Sequence, residues 1–213
     1  MSTNLITSTE QHTEEISKCH LRCFKNSLSS QLGLAYTKKT FEWFLKSKNR
    51  FLFHVVSDGK VVGYCGGFMP QYIGEGSTSG IMQYTMRQAF TGGLLHPWLL
   101  FHKEVMALYP LIFKNIVKKM FPKKHAAADA ETVKPFDKRV GLVVIGVDPQ
   151  FRGSGIFQLL MHEFEARAIS FNIHKLVLSV RKNNARAIKA YTKQGWFVTK
   201  EHLNTQEMCK YLQ

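Results

Sequence analysis

Residues 147–160 read VDPQFRGSGIFQLL. The run before them, RVGLVVIGV (139–147), is almost continuously apolar, as expected of a strand buried on both faces of a sheet. An Arg-Gly-Ser-Gly turn follows. Helical spacing then continues through Ile156, Leu159, Leu160, Phe164 and Ala168. Glycines strip side chains from such a loop, so several backbone N–H groups can converge on one anion at the positive end of the helix. An ordinary strand-to-helix turn that needs glycine only for its dihedrals fits the same letters. The spacing does exclude two well-known anion sites. No Lys-Ser/Thr pair follows the last glycine, as the Walker loop requires, and the dinucleotide fingerprint is absent. That argues against an NTPase and a Rossmann dehydrogenase.

Downstream, KLVLSV (175–180) reads as a second buried strand and NNARAIKAYTKQGW (183–196) as a helix stopped by Gly195. WFVTKE and EMCKYL then read as a final strand pair. Upstream, residues 4–7 read as a first strand. A helix follows, capped by Ser8 or Thr9, with Ile16, Cys19, His20, Cys23 and Phe24 at helical spacing. A second helix is expected over Thr40 to Lys48, with Phe41, Phe44 and Leu45 inward. FLFHVVS and KVVGYCGGF, separated by Asp58-Gly59, form the clearest hairpin in the chain. Residues 69–137 differ in character. QYIGEGSTSG (71–80) reads as a loop, with 74–80 a candidate flap. HPWLLFHKEVMALYPLIFKNIVKKMFPKKH (96–125) reads as apolar and basic helix broken near Pro110, and AAADAETVKPFDK as a surface linker.

The chain has 213 residues, 45% apolar and 21% charged, which fits one globular domain with a sizeable core. Its formal charge of +14 favours an anionic partner, whether nucleic acid, membrane surface or phosphorylated ligand. No nucleic-acid-binding motif is present, so no specific nucleic acid is expected. The opening MSTNLITSTEQHTEE lacks the basic and apolar regions of a signal peptide, and no 18-residue apolar span is present. A cytoplasmic location with reduced thiols is expected for Cys19, Cys23, Cys65 and Cys209. Cys19, Cys23 and His20 lack a second ligand pair, so no metal is expected.

VDPQFRGSGIFQLLM, the strand KLVLSV and NNARAIKAYTKQGW, in that order, resemble the GNAT superfamily of acetyl-CoA-dependent N-acetyltransferases. That family's cofactor loop runs Arg/Gln-x-x-Gly-x-Gly/Ala. Arg152 and Gly155 match it, and Phe157 departs from it. Asn184, Ala187, Tyr191, Gly195 and Trp196 follow its Asn-x-x-Ala-x-x-x-Tyr-x-x-x-Gly-Phe pattern, with Trp for Phe. The resemblance implies an α+β fold of αβα layers. Its mixed, mostly antiparallel twisted sheet would splay at the strand ending near Val147. Residues 1–213 would form one domain with a helical insertion at 69–137.

It further implies that Ile145, Gly146 and Val147 bond the pantetheine arm. Arg152, Gly153, Ser154, Gly155, Ile156 and Phe157 would hold the pyrophosphate, Asn184 would assist, and Tyr191 would be the general acid. Counting back from Arg152 puts Gly141 where some relatives carry a Glu base. The base is therefore unknown, with Glu104, His102 and His96 as candidates. The implied activity is direct acetyl transfer from acetyl-CoA to a small, anionic amine acceptor such as a nucleotide-linked amino sugar. A non-catalytic CoA-binding module is one alternative. Another is an acyltransferase at a membrane surface, touching lipid through the basic aromatic segment 98–124 and acting on a lipid-linked or longer-chain substrate. A homodimer is a further option.

Overall fold

A computed structural model describes residues 3–95, 97–98, 106 and 137–213. Seven strands form one sheet in the order β1-β2-β3-β4-β5-β7-β6. They are β1 (Thr3–Thr7), β2 (Arg50–Ser57), β3 (Lys60–Phe68), β4 (Val140–Val147), β5 (Lys175–Arg181), β6 (Phe197–Glu201) and β7 (Thr205–Tyr211). Every neighbouring pair is antiparallel except β4 and β5. Helices cover both faces, giving the expected layered α+β architecture. On one face α1 (Thr13–Cys23) and α3 (Leu34–Leu45) pack Ile16, Phe41 and Phe44 against Leu52, Tyr64 and Phe68. On the other, α5 (Ile156–Ser170) packs Leu160, Met161 and Phe164 against Phe53, Val62 and Leu176, with Tyr191 of α6 (Ala185–Lys193) joining that core. A four-residue α2 (Leu28–Gln31) precedes α3, and α4 (Ser77–Leu95) follows β3.

The Asp58-Gly59 hairpin forms as expected, with φ of 48° and 76° at its two central residues. Three expectations need correcting. The first helix is preceded by a 3-10 turn, Glu10–His12, because the His12 ring takes the Thr9 N–H at 3.0 Å and caps that turn. The second helix spans Leu34–Leu45 rather than Thr40 to Lys48. Thr40 reads as a cap, but its hydroxyl donates back to the Tyr36 carbonyl at 3.0 Å from inside the helix. Finally, residues 77–80 are the first turn of α4, so the expected flap at 74–80 is half helix.

β4 is not buried along its length as its composition suggests. Val140, Leu142 and Gly146 are buried, while Gly141, Val143, Val144, Ile145 and Val147 are half-buried. The reason lies in its neighbour. β5 pairs with β4 only at Val140, Gly141 and Leu142, and then the two strands part. At the same point the register with β3 skips Val143, because Gly66 pairs with Val144 and Gly67 with Leu142. A bulge of this kind bends its strand and increases its twist. The sheet is thus split from Val143 to Val147, with β3 bonded on one side only.

Two buried histidines make the fold acid-sensitive. His20 and His54 are held neutral by burial, with folded pKa values of about 4 against 6.5, and His12 adds to the effect at His54. Between those values the unfolded chain binds protons that the native fold refuses. Their contribution is therefore complete above about pH 6.5 and lost as pH falls toward 4, by on the order of a few kcal/mol in total. Thermal melts at pH 7.5, 5.5 and 4.5 should show a falling Tm across that window. A flat Tm would contradict the assignment.

Candidate active site

The split stretch of β4 runs directly into the loop that follows it. The Asp148 N–H donates to the Val62 carbonyl at 2.8 Å. Alternation in an antiparallel ladder then turns the main-chain groups of Gly146 toward β3, and those of Ile145 and Val147 toward the open side. This refines the expected trio. Ile145 and Val147 present free N–H and C=O groups, whereas Gly146 contributes by lacking a side chain. A Cβ at Gly146 would lie 2.5 Å from Tyr64 Oη.

Asp148 fixes the start of the loop. It caps the 3-10 turn Pro149–Phe151 by accepting the Gln150 N–H at 3.2 Å. Its buried carboxylate meets Arg22 Nε at 2.6 Å and Lys60 Nζ at 3.4 Å. The Ser154 hydroxyl donates to the Phe151 carbonyl at 2.6 Å, and the exposed Arg152 guanidinium reaches the Cys23 carbonyl at 3.5 Å. Gly153 and Gly155 both have φ of +87°, which any residue with a Cβ adopts only under strain. Gly155 is the N-cap of α5, and the first helical bond runs from the Leu159 N–H to the Gly155 carbonyl. The amides of Ile156, Phe157 and Gln158 precede that bond and are open to another acceptor.

Phe157 is half-buried and packs against the core, its ring centroid 5.9 Å from that of Tyr191. The departure from glycine therefore leaves the loop's mouth clear and its amide free. Phe157→Gly should leave CoA affinity within about threefold and lower stability by roughly 2 kcal/mol, through lost packing and a glycine in the first turn. Calorimetric titration with CoA and a thermal melt would check both. Tighter CoA binding by Phe157→Gly would show that the ring obstructs the site.

Tyr191 is 9% exposed, and its hydroxyl has no hydrogen-bond partner among the described residues. Burial pushes its phenol above the tyrosine range, and the nearby Cys65 thiol adds to this. Cys65 is the β3 partner of Ile145, so Tyr191 lies under the open stretch of β4. Asn184 caps α6, its Oδ1 accepting the Ala187 N–H at 3.2 Å, which leaves its amide NH₂ to donate elsewhere. The structure thus brings together Ile145, Val147, Gly155–Phe157 and Tyr191. Gly141 carries no acid, and Glu104, His102 and His96 lie outside the described residues. The thiols of Cys19 and Cys23 are 4.0 Å apart, and no group of three metal-ligating side chains occurs among the described residues.

Residues 125–196 match the acetyltransferase (GNAT) family. Those residues carry the GNAT signature. The general activity of that family is acetyl transfer from acetyl-CoA to an amine. The GNAT fold is shared with solved structures across almost the whole chain. The PaiA N-acetyltransferase from Thermoplasma acidophilum, in complex with coenzyme A, is 11% identical with a TM-score of 0.58, and all of both chains is covered. The ribosomal-protein-S18-alanine N-acetyltransferase from Escherichia coli is 12% identical with a TM-score of 0.56, covering 99% of this chain and 94% of that one. The aminoglycoside antibiotic 6'-N-acetyltransferase from Acinetobacter baumannii is 9% identical with a TM-score of 0.56, covering 95% of each. These likenesses concern the GNAT fold alone. No curated protein matches the chain.

Two residues that fix the start of this loop were missed from sequence, Asp148 and Arg22, which lie 126 positions apart. The Asp-Pro before the loop was a cap signal for Asp148. Nothing local marked Arg22.

Proposed function

We propose that the chain acetylates a primary amine on a small, anionic acceptor such as a nucleotide-linked amino sugar, with acetyl-CoA held in the split of the sheet. The observation that carries this reading is the parting of β4 and β5 after Leu142, which frees one edge of β4 next to an uncapped helix start. Ile145 and Val147 would bond the pantetheine amides in strand-like fashion. The amides of Ile156, Phe157 and Gln158 would meet the pyrophosphate at the positive helix end. Arg152 and the Asn184 amide would add donors. Acetyl-CoA supplies an acetyl group activated as a thioester. Tyr191 Oη, protonated because it is buried, would give the departing sulfur its proton. The charge of +14 supports an anionic acceptor.

The test is thiol release from acetyl-CoA across amino sugars, nucleotide-linked amino sugars, amino acids, polyamines and peptides. Turnover confined to anionic acceptors is the expected result. CoA binding with no turnover across the panel would favour a non-catalytic module instead.

One observation favours a second reading, at a membrane surface. Met82, Met86, Phe90 and Leu94 recur every four residues along α4 and are 49%, 64%, 68% and 67% exposed. Such a stripe, followed in sequence by the lysine-rich stretch 103–124, is what an interfacial helix presents to anionic lipid. Apart from Met106, that stretch lies outside the described residues. No helix among the described residues is long and apolar enough to cross a membrane. Flotation with phosphatidylglycerol vesicles, lost on Phe90→Glu, would support this reading. Flotation unchanged by that substitution would remove α4 from it.

A further inference from the structure

The end of α1 carries two cysteines that acetyl transfer does not use. Cys19 and Cys23 lie four positions apart on one side of the helix, with their Sγ atoms 4.0 Å from each other. Cys19 is fully buried, whereas Cys23 is half-buried and within reach of solvent. Their reactivities differ. Cys19 donates its S–H to the Cys23 sulfur, and the Arg152 and Arg22 charges add to that bond. Together they hold the Cys23 thiol below its usual range, against burial and the Asp148 carboxylate. The same bond and burial push Cys19 up. Cys65 and Cys209 are buried, and burial pushes both of their thiols up. Thiolate character and access to solvent therefore coincide at Cys23.

The same helix turn touches the loop after β4 twice. Arg22 Nε meets Asp148 at 2.6 Å, and the Cys23 carbonyl accepts from Arg152 at 3.5 Å. A disulfide needs Cβ atoms about 3.5–4.5 Å apart. A helix holds those of positions four apart at about 5–6 Å. Closing the pair therefore opens the last turn of α1. That turn is the end of the helix, since Phe24 has already left helical geometry with φ of −134° and ψ of 53°.

We propose that Cys23 is an oxidation site for a hydroperoxide, resolved by Cys19 as a disulfide that loosens the loop after β4. The chemistry has two steps. The Cys23 thiolate attacks the O–O bond and takes the terminal hydroxyl as a sulfenic acid, while the departing oxyanion takes a proton from water. The Cys19 sulfur then attacks the Cys23 sulfur, the S–O bond breaks, and hydroxide leaves with the Cys19 proton as water. The two thiols lose two electrons and two protons, and the hydroperoxide is reduced to an alcohol and water. The oxidation stands without the acetyl-transfer reading, and its effect on CoA rests on that reading.

Hydrogen peroxide is added to the reduced protein, which is then digested with trypsin. Cleavage after Lys18, Arg22 and Lys25 should release peptides 19–22 and 23–25 joined by a disulfide, before Cys65 or Cys209 reacts. Cys19→Ala should instead leave a sulfenic acid on Cys23 that dimedone traps. On oxidation the Gln150, Phe151 and Ser154 amides, now bonded within the loop, should exchange about tenfold faster. The CoA Kd should rise about tenfold, as expected for loss of one charge-assisted bond. Dithiothreitol should reverse both changes, and Cys23→Ala should keep its Kd under peroxide. Earlier reaction at Cys65 or Cys209, no linked pair, no trapping in Cys19→Ala, unchanged loop exchange, or an unchanged Kd would each overturn the proposal. A linked pair with faster loop exchange, in a protein whose reduced form binds no CoA, would overturn the acetyl-transfer reading instead.

Discussion

Tyr191→Phe is expected to lower kcat about a hundredfold while leaving the CoA dissociation constant unchanged. The substitution removes one oxygen from a ring whose packing on Phe157 and Trp196 needs only its carbons. That hydroxyl has no partner among the described residues, so its loss orphans nothing and the fold should hold. What is lost is a proton poised under the open edge of β4. Because burial lifts the phenol above the usual range for tyrosine, it stays protonated through neutral and mildly alkaline pH. The wild-type rate should therefore show no alkaline decline from this group below about pH 10. Steady-state kinetics from pH 6 to 9.5, with any turned-over amine, compare the two proteins. Equal kcat at every pH would remove Tyr191 from the chemistry.

The second large effect is structural and acts on the cofactor loop. Asp148→Ala should destabilise the protein by about 3 kcal/mol, the lower end for breaking one side of a buried pair. For a chain of this size that corresponds to a drop in Tm of about 10 °C. Asp148 is 1% exposed and holds Arg22 at 2.6 Å, while Arg22 also donates to the Val61 carbonyl at 2.9 Å. Removing the carboxylate leaves Arg22 without its counter-charge and frees the 3-10 turn that sets the direction of the loop. CoA affinity should weaken with it. Burial is the largest influence on Asp148 and opposes its ionisation, but the Arg22 bond and charge, the Gln150 N–H and Lys60 together outweigh it, and the carboxyl titrates below the usual aspartate range. This stabilisation is therefore complete above the unfolded aspartate value, near 4, and is lost as pH falls through the depressed folded value. The gap in Tm between wild type and Asp148→Ala should narrow as the pH is lowered toward 3. A gap independent of pH would mean that the ion pair is not its source.

The sequence carried the loop and helix start after β4 better than the face covered by α1 and α3, for a physical reason. Arg152, Gly155 and Tyr191 sit in short stretches where turn and helix geometry are local, so spacing alone brings the chemistry together. The Asp58-Gly59 hairpin was legible for the same reason. A cavity on that face is assembled from α1, α2, α3, α4 and β4, and its residues His20, Thr40, Ile81 and Val143 have no local signature. Thr40 even read as a helix start, because a threonine bonding back to position 36 looks the same as one that caps. Ser77 to Gly80 read as loop for want of apolar spacing. Gly80 is inside a helix because the Trp43 ring lies against it, where a Cβ would come within 3.0 Å. The split of β4 was also invisible in composition, since RVGLVVIGV does not reveal that β5 pairs with only its first part.

Residue-resolved amide hydrogen exchange on addition of CoA tests most directly whether the split of the sheet is the cofactor site. The amides of Ile145 and Val147 on the free edge, and those of Ile156, Phe157 and Gln158 at the helix start, should each slow at least tenfold. Gly146, already bonded to β3, should change little. Saturating CoA that leaves these five amides exchanging at their free rates would contradict the account.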